Sequence, residues 1–555
     1  MPEVRFGHGR HTGALVPLFS IPSKDSWGIG EIPDLPRFAV WLRQAALDFV
    51  MLLPVNEMGE GQHSPYSALS AMAIDPIYIA VAAIEEFHAA GGELAMSDVD
   101  RLALDQARQS PRIAYRQIRD VKSRTLRSAF DRFDTREWRT QSARASAFRE
   151  FMDRERWWLD DYALYRALHH EHEGRHWAEW GEGIRDRRPD ALSQARSRLA
   201  REILYRSWLQ WVADDQWQRA RRDCNGVAIF GDFPFIVSGD SADVWARQRE
   251  FRLDATVGTP PDAFSATGQD WGLPVYRWDV MAPDFEWLRQ RARRSTELYD
   301  GFRVDHLVGF YRTYVREADG CAAFVPSDQP SQLEQGERLL TRFGEYGAYI
   351  VAEDLGSVPE FVRHSMARLG VPGYKVLRWE RSWEEPGEPF RDPAAYPAVS
   401  LATSSTHDTE TLAEWWDTAP AEERAAIAAV PSLADSGCDP TIAFGDTVRD
   451  ALLRALCGAG SNLVLIPVQD IFGWRDRINT PAVVDDVNWT WRVPWLIDEW
   501  PLQPVAQERA RFLHATIARD RPATRDPRAA NREPRTANPD PTGIPTSGGP
   551  PPESD

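Results

Sequence analysis

Eight short apolar runs punctuate the chain, most of them separated by helical patterns. The first four are residues 14–18 (Ala-Leu-Val-Pro-Leu), 49–54 (Phe-Val-Met-Leu-Leu-Pro), 227–232 (Val-Ala-Ile-Phe-Gly-Asp) and 301–305 (Gly-Phe-Arg-Val-Asp). Residues 349–354 (Tyr-Ile-Val-Ala-Glu-Asp), 374–377, 399–403 and 462–467 complete the series. Continuous apolar runs of this length mark strands covered on both faces, as in a parallel sheet wrapped by helices. Eight of them alternating with helices predict a (β/α)8 TIM barrel.

Two stretches break the rhythm. Residues 80–222 are rich in Arg and Glu with interleaved Trp, Leu and Phe, and read as a large helical insertion. Its clearest amphipathic pieces are 113–133, 143–172 and 191–221. Residues 240–290 read as loop insertions forming subdomains on the barrel rim. From 521 onward the chain holds nine prolines and few apolar residues, which cannot bury a core. The expected organisation is a barrel over 1–519, interrupted by these insertions, and a disordered tail over 520–555.

Charge and cysteine content narrow the function classes. With 65 basic and 83 acidic residues the net charge is −18, which disfavours nucleic acid as a partner. Cys224, Cys321, Cys438 and Cys457 are too scattered for a zinc ribbon or redox pair, and their scarcity fits a reducing compartment. The first ten residues lack the apolar segment of a signal peptide, and no run is long enough to span a membrane, so a cytoplasmic location is expected. His169 and His172 share a helix face without a metal-site pattern, and a solvated face is the plainer reading. Gly28 and Gly30 lack the third glycine of a dinucleotide fingerprint. The 23 tryptophans suit core packing, and also sugar stacking.

The chemistry gathers at strand ends. In 301–306 (Gly-Phe-Arg-Val-Asp-His) the period-two alternation puts Arg303 and Asp305 on one face and Phe302 and Val304 on the other. Taken alone, a structural ion pair is the plainer reading of this strand. Asp232, Glu353 and Asp408 also close strands or follow them, and a barrel presents all such ends on one rim. Converging carboxyls fit glycoside chemistry, with one nucleophile and one proton donor. They also fit a metal site, although the His-x-His expected of many metal-hydrolase barrels does not follow the first strand.

These segments carry a resemblance. Ser-Pro-Tyr-Ser-Ala-Leu-Ser-Ala from Ser64, Gly-Asp-Phe-Pro-Phe from Gly231, Thr-Gly-Gln-Asp-Trp-Gly from Thr267 and Phe-Arg-Val-Asp-His from Phe302 stand in one order. Ala-Glu-Asp-Leu-Gly from Ala352, Ser-Thr-His-Asp-Thr from Ser405, Arg-Ile-Asn-Thr-Pro from Arg477 and Asn-Trp-Thr-Trp-Arg from Asn488 follow. Together they resemble the amylomaltase, or 4-α-glucanotransferase, family of glycoside hydrolases over roughly residues 12–495.

The resemblance implies transfer of α-1,4-glucan segments between maltooligosaccharides by a retaining double displacement, without metal or organic cofactor. It implies Asp305 as nucleophile, Glu353 as acid/base and Asp408 as transition-state stabiliser. Tyr66, Asp232, Gln269, Trp271, Arg303, His306, His407 and Asn479 match positions that bind the glucan. Ala263 stands where many relatives carry an aromatic residue, and an extra N-terminal domain is not expected. A protonated Glu353 is expected from the like charges of Asp305 and Asp408, with Asp354 on the opposite face. Retention implies Asp305 and Glu353 carboxyls about 5–5.5 Å apart. The alternatives are an α-amylase-type retaining hydrolase, a catalytically silent glucan-binding protein and a metal-dependent barrel enzyme. A monomer or weak homodimer is expected.

Overall fold

The computed structural model describes residues 9–261, 268–481, 483 and 485–520. In chain order the strands are β1 (His11–Leu15), β2 (Phe49–Met51), β3 (Ala228–Phe233), β4 (Phe251–Thr259), β5 (Gln269–Tyr276) and β6 (Gly301–Val304). They continue as β7 (Thr313–Glu317), β8 (Ala322–Val325), β9 (Tyr349–Ala352), β10 (Gly373–Val376), β11 (Ser400–Thr403) and β12 (Leu463–Pro467). Strands β1, β2, β3, β6, β9, β10, β11 and β12 close a barrel, β1 pairing with both β2 and β12. Every neighbouring pair in it is parallel. The eight strands fall on the eight apolar runs of the sequence, most of them shorter than the run, while β1 begins three residues ahead of it at His11 and β3 and β10 each reach one residue beyond. Pro17 and Leu18, expected in the first strand, instead leave it, Leu18 opening a 3-10 turn.

The barrel interior is layered. Phe49 and Phe230 meet at 4.8 Å between ring centroids, and Phe230 lies 6.0 Å from Tyr349. These rings fill the floor because Gly301 leaves room: a Cβ there would lie 2.6 Å from the Phe230 ring and 2.7 Å from the Tyr349 carbonyl oxygen. One layer up, register sets Asp232 directly beside Arg303. On the outer face Phe302 stacks on Phe233 at 5.5 Å, and Arg291 of the helix Glu286–Leu298 covers the Phe233 ring. The alternation read from 301–305 is therefore realised, polar inward and aromatic outward.

The helical insertion is present, its longest members being Tyr115–Phe133, Ala143–Glu171 and Ala200–Asp223. Its helix Ala200–Asp223 is fastened to the segment that follows β2 by side chains that imitate a ladder. The Gln210 amide bonds both N–H and C=O of Ile74, and the Gln216 amide does the same to Ala80. Residues 191–221 are not one helix: Pro189–Arg198 ends at Leu199, whose φ of −99° and ψ of 14° leave the helical basin. His169 is not on a solvated face; it is buried and faces the Asp240 carboxylate at 3.4 Å. Among the described residues no cluster of His, Cys, Asp and Glu is placed to hold a metal ion, and no helix is long and apolar enough to cross a membrane.

Residues 240–290 are not simply loops. Strands β4 and β5 join β7 and β8 in an antiparallel sheet of order β5-β4-β7-β8. Phe251-Arg252-Leu253-Asp254-Ala255-Thr256-Val257 alternates apolar and polar residues, which is the period of a half-buried strand. The tryptophans belong mostly to packing: Trp27, Trp41, Trp208, Trp217, Trp245, Trp287, Trp416 and Trp500 are fully buried. The tail from 521 and Ala263 lie outside the described residues.

Candidate active site

The C-terminal ends of the barrel strands bring the predicted residues to one place. Arg303 is the hub. One of its terminal nitrogens lies 2.9 and 2.8 Å from the two Asp232 oxygens. The other lies 2.8 Å from Asp305 Oδ1 and 3.9 Å from Glu353 Oε2. The guanidinium sits above an apolar floor and is itself buried. In such surroundings a cation needs paired carboxylates, and three surround it.

The two principal acids differ in setting. Asp305 follows β6 with its backbone N–H still donating to Phe233 O at 3.0 Å, and its side chain is 25% exposed. Glu353 follows β9, is 13% exposed, and is held at both oxygens. The His306 N–H donates to Oε2 at 2.8 Å, and the Leu355 N–H to Oε1 at 3.1 Å. Burial pushes the Glu353 carboxyl up to about 7, with the Asp305 charge adding and Arg303 opposing. The raised acid was expected, but the cause differs. Burial leads, and the like charges that add to it are those of Asp305 and Asp354. Asp354 turns away as expected, accepting the Tyr374 N–H at 2.7 Å between β9 and β10.

Asp408 and His407 form a second unit on the loop after β11. Asp408 accepts from Asn479 Nδ2 at 2.6 Å and lies 3.1 Å from His407 Nε2. Burial works against its charge, but His407 and the Asn479 amide outweigh it and hold the Asp408 carboxyl down at about 2. His407 responds in the opposite sense: burial pulls it down, the Asp408 charge raises it more, and it ends above its ordinary value. Tyr66 joins the two units. Its hydroxyl donates to Asp232 Oδ2 at 2.6 Å, its oxygen lies 3.0 Å from His407 Nε2, and its ring stacks on the imidazole.

The remaining predicted residues sit further out. Gln269 and Trp271 stand on β5, where Trp271 Nε1 donates to Gln269 Oε1 at 3.1 Å. The Trp271 ring meets His306 edge-on at 4.8 Å, which ties the rim sheet to the acid pair. His306 adopts a left-handed φ of 44°, and this turn aims its N–H at Glu353. Burial lowers its imidazole to about 4, so the ring is neutral near pH 7. Its clearest contribution is thus the backbone amide.

Sequence reasoning did not single out Tyr374, Trp489 or Arg477. Tyr374 is buried on β10 and reaches Met51 Sδ inside the barrel. Trp489 packs near Tyr66 and His407. Arg477 donates to the Asp408 carbonyl at 3.4 Å. Arg477 and Trp489 lie in the segments 477–481 and 488–492 that carry the resemblance, whereas Tyr374 is placed only by the barrel register.

A buried acid beside a more open carboxylate, both on one arginine, matches the requirement for acid-assisted glycosyl transfer. A sequence profile of the 4-alpha-glucanotransferase family matches residues 16–498. The chain belongs to the 4-alpha-glucanotransferase family. Relatives in the family include the 4-alpha-glucanotransferase of Chlamydia pneumoniae, 30% identical, covering 88% of this chain and 92% of that one. The Thermus thermophilus 4-alpha-glucanotransferase is 32% identical over 87% of this chain and 95% of its own. Among solved structures, the amylomaltase of Streptococcus agalactiae in complex with acarbose superposes with a TM-score of 0.77 at 25% identity, covering 91% of this chain and 98% of that one. The Corynebacterium glutamicum amylomaltase shares the fold, with a TM-score of 0.76 at 23% identity over 91% of this chain and 75% of its own.

Proposed function

We propose that this 4-α-glucanotransferase works by double displacement on Asp305, with Glu353 as acid and then base. Asp305 attacks the anomeric carbon of a bound maltooligosaccharide while the glycosidic C–O bond breaks. The Glu353 proton passes to the departing 4-oxygen, leaving a β-linked glycosyl ester on Asp305. An acceptor's 4-hydroxyl then attacks the same carbon, gives its proton to the Glu353 carboxylate and frees Asp305. Asp408, with Asn479 and His407 behind it, faces the sugar hydroxyls of the transition state. Tyr66, Asp232, Arg303 and His407 shape the innermost sugar site, and Gln269, Trp271, His306 and Asn479 extend it.

One observation carries the assignment: a single Arg303 nitrogen 2.8 Å from Asp305 and 3.9 Å from Glu353. Two oxygens on one nitrogen at these distances lie no more than about 6.7 Å apart, which supports the about 5–5.5 Å of a retaining pair over the about 6.5–9.5 Å that inverting enzymes keep to admit water. The reading takes residues 1–519 as one catalytic unit with its insertions. It places the enzyme in the cytoplasm as a monomer or weak homodimer acting on α-1,4-glucans, with no nucleic-acid or membrane partner.

The test uses α-glucosyl fluoride, whose leaving group needs no proton. Glu353→Ala is expected to fail on maltotriose yet consume the fluoride, while Asp305→Ala fails on both. Equal behaviour of the two variants on the fluoride refutes the assignment. Products longer than maltotriose distinguish transfer from the hydrolase alternative.

A further inference from the structure

The loop that carries His407 and Asp408 is built almost without apolar anchors. It leaves β11 at Thr403 and rejoins helical structure at Leu412. Inside it, the Thr406 N–H donates to Thr409 Oγ1 at 2.9 Å and the Asp408 N–H to Thr406 Oγ1 at 3.2 Å. These bonds close the tip on itself but do not fix its height over the barrel.

The root is fixed by a residue outside the loop. Asp470 stands in the short helix Val468–Phe472 that follows β12, and no part of it is exposed. Its Oδ2 accepts the hydroxyls of Ser404 and Ser405, each at 2.6 Å. Its Oδ1 accepts the Leu412 N–H at 2.7 Å. One carboxylate therefore grips the loop where it departs and where it returns. The same segment continues to Asn479, whose side chain donates to Asp408 and whose N–H donates to His407 O at 3.1 Å. Bonds from a carboxylate are stronger than neutral ones, and a buried one leaves its partners no water to turn to.

We propose that Asp470 is a positioning residue that sets the His407–Asp408 pair against the reacting sugar, by holding Ser404, Ser405 and Leu412 on one buried carboxylate. The inference rests on the role given above to Asp408. Misplacing a catalytic group by about 1 Å costs up to a hundredfold in rate.

In the full-length enzyme, Asp470→Asn keeps the shape of the side chain but turns one acceptor into a donor. It is expected to lower kcat on maltotriose by roughly tenfold to a hundredfold, with KM nearly unchanged. The readout that separates positioning from general support is a double-mutant cycle on α-glucosyl fluoride. In an Asp408→Asn background, Asp470→Asn should cost less than about twofold, because the group it positions is already gone. The same loss in both backgrounds, or full activity of Asp470→Asn beside a crippled Asp408→Asn, overturns the inference. Should Asp470→Asn fail to fold, Ser405→Ala removes one hydroxyl and leaves the carboxylate; a fall confined to the Asp408-containing background supports positioning, and no fall refutes it. An Asp408→Asn enzyme with undiminished transfer overturns the role of Asp408 itself, which the other outcomes leave standing.

Discussion

Glu353→Gln is expected to stabilise the protein in a pH-dependent way. Burial raises the Glu353 carboxyl from an ordinary 4.5 to about 7 in the folded protein. Between those values the native state holds a proton that the unfolded chain releases, so wild-type stability falls as pH rises through the window. At about 1.4 kcal/mol for each tenfold change in protonation, the accumulated loss is roughly 3 kcal/mol above pH 7. Glutamine does not titrate and escapes it. The amide gives up one of the two bonds now made to the His306 and Leu355 N–H groups, which returns about 1 kcal/mol. The net gain is therefore about 2 kcal/mol near pH 8, changing to a small loss below pH 4.5. The assay is the difference in Tm between variant and wild type across that range. A difference that stays flat or shrinks with rising pH would refute a raised Glu353. The same value places the alkaline limb of kcat/KM for maltotriose near pH 7, a limb that α-glucosyl fluoride should lack.

Two further substitutions probe the hub and its floor. Gly301→Ala puts a methyl 2.6 Å from the Phe230 ring and 2.7 Å from the Tyr349 carbonyl; it should cost about 1–3 kcal/mol in denaturant unfolding and lower activity by shifting Arg303, and unchanged stability would show that the floor yields. Tyr66→Phe keeps the stack on His407 but removes the hydroxyl shared by Asp232 and His407; kcat/KM should fall about tenfold with little change in Tm, and an unchanged rate would detach Tyr66 from the site.

Much of the barrel was legible because each buried strand had to be apolar on both faces, as 49–54 and 462–467 are. The acid positions were legible because Asp232, Asp305 and Glu353 end or follow such runs. The cause of Glu353's raised value was not. Its environment depends on Arg303, Asp305 and His306 at the end of the neighbouring β6, about fifty residues away in sequence. The rim sheet escaped because Leu253 is half exposed and β8 nearly all exposed, so burial gives those strands no strong pattern, although the alternation in β4 was present. The tryptophan count pointed toward sugar platforms, yet most of those rings were required by the large helical layers.

Pairing of β1 with β12 joins residues 11–15 to residues 463–467. Loop closure over such a span is slow compared with local helix formation. During synthesis Asp232 and Arg303 can meet long before Asn479 exists, and before the last strand arrives the barrel stays open along β1. Catalytic competence therefore has to emerge at the end of assembly rather than grow with it. On refolding, circular dichroism should recover first and glucan transfer last, making enzyme activity a direct reporter of ring closure.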